Sequence, residues 1–96
     1  MAIIFDKTRI ISGYLVRTKI QTVPPNPNRP DGFKVNFVVV HRETGERILL
    51  VDNHAPIGYH IHPDPKEPKK RVKLEVSSPF EALEIFEQKV SEICHE

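Results

Sequence analysis

The chain has 96 residues, which is enough for one hydrophobic core and too few for two domains. Hydrophobic residues make up 39% and charged residues 28%, as in ordinary globular proteins, and no apolar run reaches the ~18 residues of a membrane-spanning helix. A formal net charge of +1 gives no overall field that would attract nucleic acid, so any such binding must come from a local patch. The apolar stretch at residues 1–5 is too short for a secretory signal, which predicts a cytoplasmic location.

Alternating residues predict strands in the first half of the chain. Apolar runs at residues 3–5 and 10–12 indicate a first strand that ends in a turn leading to Gly13. Residues 14–23 collect β-branched side chains on one face, and residues 33–41 alternate apolar and polar positions most clearly. This pattern is typical of antiparallel strands that are covered on one side.

Two connections separate these strands. Residues 24–32 contain four prolines and cannot continue a helix or a central strand, so we expect a long surface loop inside the domain. Residues 42–46 form a shorter turn, in which Gly45 is free to adopt a positive φ. Residues 47–52 then return as a strand, which makes a hairpin.

The C-terminal part predicts a short strand and a helix. Residues 71–76 alternate as a last strand, and residues 78–81 supply an N-cap serine, a proline at the first helical position and a glutamate. Apolar residues then recur at three- and four-residue steps as far as the single cysteine, Cys94, which suits packing better than catalysis. The prediction is one α+β domain over residues 1–96, an antiparallel sheet of four to five strands with one C-terminal helix packed on one face.

The segment from Asp52 to His62 is the candidate for chemistry. In extended backbone His60 and His62 point to the same side, with their Cα atoms about 7 Å apart. Two such imidazoles suit general base and general acid catalysis on a phosphodiester. They also suit a divalent metal completed by Asp64 or Asp52, or they are simply exposed histidines on a sheet edge.

This segment resembles a known signature. Asp52-Asn53, then Gly58-Tyr59 and His60-Ile61-His62, is similar to the Asp-Asn, glycine, His-x-His pattern of the TumE-type toxins of prokaryotic toxin–antitoxin systems. The resemblance extends to the preceding strands and to the Ser-x-x-Glu-Ala-Leu helix start at residues 78–83. It implies a toxin that is held inactive by an antitoxin with a helix-turn-helix domain, and RNA cleavage is the activity to expect.

The leading hypothesis is therefore a ribonuclease toxin that uses no metal and no cofactor. His60 and His62 would transfer protons, and Asp52 would orient one imidazole. The family carries basic residues after Asp-Asn where this chain has residues 54–57, so cations from elsewhere must hold the phosphate. The expected contacts with RNA are the side chains of Asn53, Tyr59, Arg47, Lys69 and Lys70.

Two alternatives stay open. A non-catalytic interaction module would use the sheet edge and the proline-rich loop to bind a protein partner. A metal-dependent nuclease or hydrolase would use His60 and His62 with a carboxylate and would lose activity in a chelator.

Overall fold

The chain folds as an antiparallel sheet with a helix packed on one face, as predicted. The structure is a computed structural model that describes residues 2–54, 58–62 and 71–94. The strands follow one another across the sheet in chain order, each antiparallel to its neighbour. The elements are β1 (Ala2–Ile11), β2 (Tyr14–Thr22), β3 (Phe33–His41), β4 (Arg47–Asp52), β5 (His60–His62), β6 (Val72–Lys73) and α1 (Pro79–Ile93).

The sheet has six strands, one more than the upper end of the prediction. The first strand continues through the charged residues 6–9, which an edge strand tolerates because its outer side faces solvent. It ends at Ile11. Ser12 and Gly13 follow with φ angles of 47° and 84°, and they form the two-residue hairpin turn that fits the twist of the strands. The last strand is shorter than predicted, because only Val72–Lys73 pair with β5.

The helix begins where the capping pattern predicts. The Ser78 hydroxyl accepts a hydrogen bond from the backbone N–H of Glu81 at 3.2 Å, and Pro79 occupies the first turn. The Glu81 carboxylate in turn accepts hydrogen bonds from the backbone N–H and the hydroxyl of Ser77. These contacts fix the start of α1 beside the sheet. In the part of the chain that the structure describes, no helix has the length and the apolar character needed to span a membrane.

The core lies between α1 and one face of the sheet. The rings of Phe37 on β3 and Phe86 on α1 are fully buried, with their centroids 5.4 Å apart. Cys94 is buried just after the helix, which confirms its predicted packing role. The other buried apolar residues are Val16, Ile20, Val35, Val39, Leu49, Val51, Ile61, Ala82 and Val90. We call the opposite face of the sheet, turned away from α1, the open face.

Candidate active site on the open face

Strand register brings polar open-face residues from five strands into one row. Asp52 on β4 lies opposite His60 on β5, and His60 lies opposite Lys73 on β6. On the other side of Asp52 the row continues through Asn36 on β3 to Lys19 on β2. Neighbouring strands are about 4.8 Å apart, so each of these side chains lies beside the next. The row is the frame of the candidate site.

The two predicted histidines contact each other on this face. His62 lies opposite Leu50, two residues along β5 from His60. The ring centroids of His60 and His62 are 4.8 Å apart, and the ring planes meet at 73°, an edge-to-face contact. The alternation of side chains along the strand therefore places both rings on one face, as the sequence predicts. In the folded structure the two rings are closer together than the ~7 Å expected between the Cα atoms of these residues.

The environments of the two histidines differ. His60 is only 4% exposed, and its Nδ1 lies 2.7 Å from the carbonyl oxygen of Gly58. Because a carbonyl can only accept, Nδ1 carries a proton and Nε2 is the nitrogen left for proton exchange. Burial, followed by the charges of His60 and Arg71, lowers the pKa of His62 below 6.5, although Asp52 acts in the opposite direction. His62 is therefore a neutral proton acceptor at pH 7.

Asp52 is held by two groups that the sequence hypothesis did not include. Its Oδ1 accepts a hydrogen bond of 2.7 Å from the backbone N–H of Asn53. The same oxygen lies 3.6 Å from Nη2 of Arg29, whose side chain is 17% exposed. Arg29 comes from the proline-rich loop. The structure thus places the Arg29 guanidinium beside Asp52, which itself lies opposite His60.

The proline-rich loop lies on the surface, as predicted, and it is held in shape by its own hydrogen bonds. Its ends are joined by a hydrogen bond from the Val23 N–H to the Gly32 carbonyl, 2.9 Å long. Within it, Asn26 Oδ1 accepts from the backbone N–H groups of Asn28 and Arg29, at 2.9 and 3.0 Å. This asparagine turn fixes the backbone of Arg29. The signal in the sequence was an asparagine three residues before an arginine, in a stretch that prolines already stiffen.

Tyr59 is tied to the same loop. Its hydroxyl donates a hydrogen bond of 2.8 Å to Oδ2 of Asp31, and the ring is half-buried. Burial and this carboxylate raise the pKa of Tyr59 well above its ordinary value of 10, so the phenol keeps its proton. In this position Tyr59 joins the loop to the start of β5. Its predicted contact with RNA stays a prediction.

Asn53 has a structural position. It is 3% exposed. Its side-chain amide bonds the backbone at the start of β3, where a neighbouring strand would otherwise pair. Oδ1 accepts from the Val35 N–H at 3.1 Å, while Nδ2 donates to the Phe33 carbonyl at 2.7 Å. Both ends of the amide are thus used by backbone groups that would otherwise be buried without partners. A contact between Asn53 and RNA stays a prediction, and the structure gives the side chain this other task.

The predicted cations are not those that the structure brings to the histidines. Arg47 lies at the far end of β4, opposite Val40, about 16 Å along the strand from Asp52 at ~3.3 Å per residue. Lys69 and Lys70 lie outside the described residues. The described cations at the histidines are instead Lys73, which lies opposite His60, and Arg71, whose charge acts on His62. Farther along the open face lie the basic side chains of Arg17, Lys19 and Lys34. Their alternation was visible in the sequence, but their grouping on this face depends on the register between strands.

A metal site was one alternative for the same residues. Asp64, one of the two carboxylates considered for it, lies outside the described residues. Within residues 2–54, 58–62 and 71–94, no group of three histidine, cysteine or acidic side chains is arranged to hold a metal ion.

Comparisons with family models, with curated proteins and with solved structures found no match. The resemblance to the TumE-type toxins rests on the Asp52-Asn53 and His60-Ile61-His62 motifs and on the pattern of elements around them.

Proposed function

We propose that this protein is the toxin of a toxin–antitoxin pair and that it cleaves RNA in the cytoplasm without a metal ion. The observation that carries the proposal is the pair of contacting imidazoles, His60 and His62, with centroids 4.8 Å apart. His62 is a neutral proton acceptor, Asp52 lies opposite His60, and the Arg29 guanidinium lies 3.6 Å from Asp52. This combination supplies the groups that RNA cleavage by its own 2′-hydroxyl requires.

The reaction needs two proton transfers. His62 takes the proton of the 2′-hydroxyl, and the oxygen attacks the adjacent phosphorus. The bond to the 5′-oxygen breaks, and that oxygen receives a proton from Nε2 of His60, which must enter the reaction as the imidazolium and leaves it neutral. The products are a 2′,3′-cyclic phosphate and a 5′-hydroxyl end. Because His60 is only 4% exposed, its proton transfer requires the side chains around it to shift, whereas His62 is accessible as it stands.

Arg29 is the cation that the geometry supports for the reacting phosphate. A guanidinium is always charged and presents several N–H donors, which suits the negative charge that develops on the phosphate oxygens. Asp52 holds the Arg29 side chain, and the folded proline-rich loop holds its backbone. In this proposal Asp52 positions the guanidinium as well as facing His60 across the strands.

The toxin role predicts growth arrest. Induced expression of the chain in a bacterial host should stop growth, and the His62→Ala variant should allow it, since the variant lacks the proton acceptor. Co-expression of a helix-turn-helix protein from the neighbouring reading frame should also restore growth. Growth curves with immunoblots of equal protein levels measure both effects. Normal growth with soluble wild-type protein present would contradict the toxin role.

A non-catalytic interaction module is the second candidate, and β1 favours it. This strand is ten residues long and lies at the edge of the sheet. Its Ile3 and Ile10 side chains are 57% and 58% exposed, which is costly unless a partner covers them. This candidate predicts that growth arrest and partner binding both survive the His62→Ala change.

A further inference from the structure

We propose that a groove on the open face of β2 and β3 binds the phosphate backbone of single-stranded RNA and leads it to the histidine pair. The inference rests on the ribonuclease function proposed above and names the surface that holds its substrate. The groove has a volume of about 210 Å³. Its lining residues, all polar or basic, are Arg17, Lys19, Gln21, Lys34 and Asn36.

The register of two long strands creates this groove. Lys19 lies opposite Asn36, and Gln21 lies opposite Lys34. Lys19 and Lys34 are thus diagonal neighbours, whose Cα atoms are typically ~7 to 8 Å apart. Arg17 lies two residues before Lys19 on the same face, at a similar distance. Three cations therefore surround one small depression.

Folding alone does not favour this arrangement. Like charges at neighbouring positions of a sheet repel one another and destabilise it. Among the described residues of β1 to β5, the carboxylates that the register places on this face are Asp6 and Asp52. Asp6 lies 3.6 Å from Arg17 in an exposed pair of little energetic weight, and Asp52 is already held by Arg29. The groove keeps a net positive charge that a bound polyanion would neutralise.

The groove and the histidine pair lie along one row of the open face. Lys19 and His60 belong to the same row, separated by Asn36 and Asp52. That separation is three strand spacings, or ~14 Å. An RNA strand that crosses the sheet perpendicular to the β-strands would place phosphates in the groove and a further phosphate beside Arg29 and the histidines. Because phosphate contacts carry no sequence information, this surface should bind RNA of any sequence.

Salt dependence provides the test, with a short single-stranded 2′-O-methyl RNA of mixed sequence as the probe. This probe lacks the reactive 2′-hydroxyl, so its binding is measured without cleavage. Each phosphate contact on a single strand contributes a slope of about −0.7 to the plot of log affinity against log salt. The three groove contacts together contribute about −2 to the slope, which is a loss of about 20-fold between 50 and 200 mM salt, and the phosphate contact at Arg29 adds to it. Fluorescence anisotropy of the labelled probe measures it.

Glutamine substitutions locate the contacts. Each of the changes Arg17→Gln, Lys19→Gln and Lys34→Gln should reduce the slope by about 0.7, and the triple variant should keep only the part of the slope that comes from the contact at Arg29. A control triple variant removes the same charge elsewhere on the molecule. It combines Lys7→Gln on the helix-covered face, Arg42→Gln in a hairpin turn and Lys89→Gln on α1, and it should keep the wild-type slope. Circular dichroism verifies that every variant is folded.

The outcomes separate this inference from the proposed function. An unchanged slope in the groove triple variant, or an equal loss in both triple variants, overturns the groove as the binding surface, and so does a wild-type protein that does not bind the probe. Binding through the groove by a wild-type protein that leaves ordinary RNA intact would support the groove and reject the ribonuclease. Cleavage that persists undiminished in the groove triple variant would reject the groove and leave the ribonuclease standing.

Discussion

Replacing His62 by alanine should slow RNA cleavage by ~10² to 10⁴, because one positioned proton-transfer group usually contributes that much to a rate. His60→Ala should cause a loss of the same order, since Nε2 of His60 is the proposed proton donor. The measurement is the single-turnover rate of cleavage of an end-labelled RNA. Thermal unfolding of each variant should show that the His62 change leaves the fold intact, because this side chain is only partly buried.

His41→Ala is the matched control for this prediction. His41 ends β3 beside the hairpin turn, at the opposite end of the strand from the residues next to Asp52, and its ring contacts Tyr14. Its removal should leave the cleavage rate unchanged. Full activity in the His60→Ala, His62→Ala double variant would reject the chemistry and leave the interaction module as the better account.

The pH profile of the same reaction follows from the state of His62. Burial holds its pKa below 6.5, so the imidazole remains a proton acceptor down to mildly acidic pH. The rate should fall as the pH drops through that lowered pKa, because protonated His62 cannot accept a proton. The acidic limb should disappear in the residual activity of His62→Ala.

Phe86→Ala should lower the free energy of unfolding by ~3 to 5 kcal/mol, the usual cost of removing a buried phenyl ring. Phe86 is fully buried on α1 and packs against Phe37. Phe80→Ala on the same helix is the matched control, because this ring is 51% exposed and its loss should have a small effect. Chemical denaturation measures both variants. A loss below ~1 kcal/mol for Phe86→Ala would contradict the assignment of this face to the core.

Local sequence signals predicted most of the fold. The capping residues Ser78 and Pro79 fixed the start of α1, because the hydrogen bonds they govern lie within one turn. Alternation in residues 33–41 gave the face of each side chain in β3. Successive side chains in a strand point to opposite faces of the sheet, whichever residues they pair with. The sequence left the extent of β1 open, because the charged residues 6–9 interrupt its apolar runs, while pairing with β2 keeps them extended.

The candidate site was predictable only in part. His60 and His62 share a face because they are two residues apart in one strand, which is a local fact. Arg29 reaches Asp52 through a loop far away in the chain, and no local pattern encodes that contact. Lys19 likewise joins the row only through the register of three strand pairs. The sequence therefore pointed to the residues that we propose for proton transfer, whereas the contact of Arg29 and the place of Lys19 required the tertiary structure.

The chemical nature of the product ends tests the central claim most directly. RNA of defined sequence is incubated with the purified protein in EDTA, and the ends of the fragments are identified by mass spectrometry. Catalysis by the histidine pair predicts 2′,3′-cyclic phosphate and 5′-hydroxyl ends, formed at the same rate with or without the chelator. Fragments with 5′-phosphate ends that appear only with a divalent ion, or RNA that remains intact under all conditions, would contradict it.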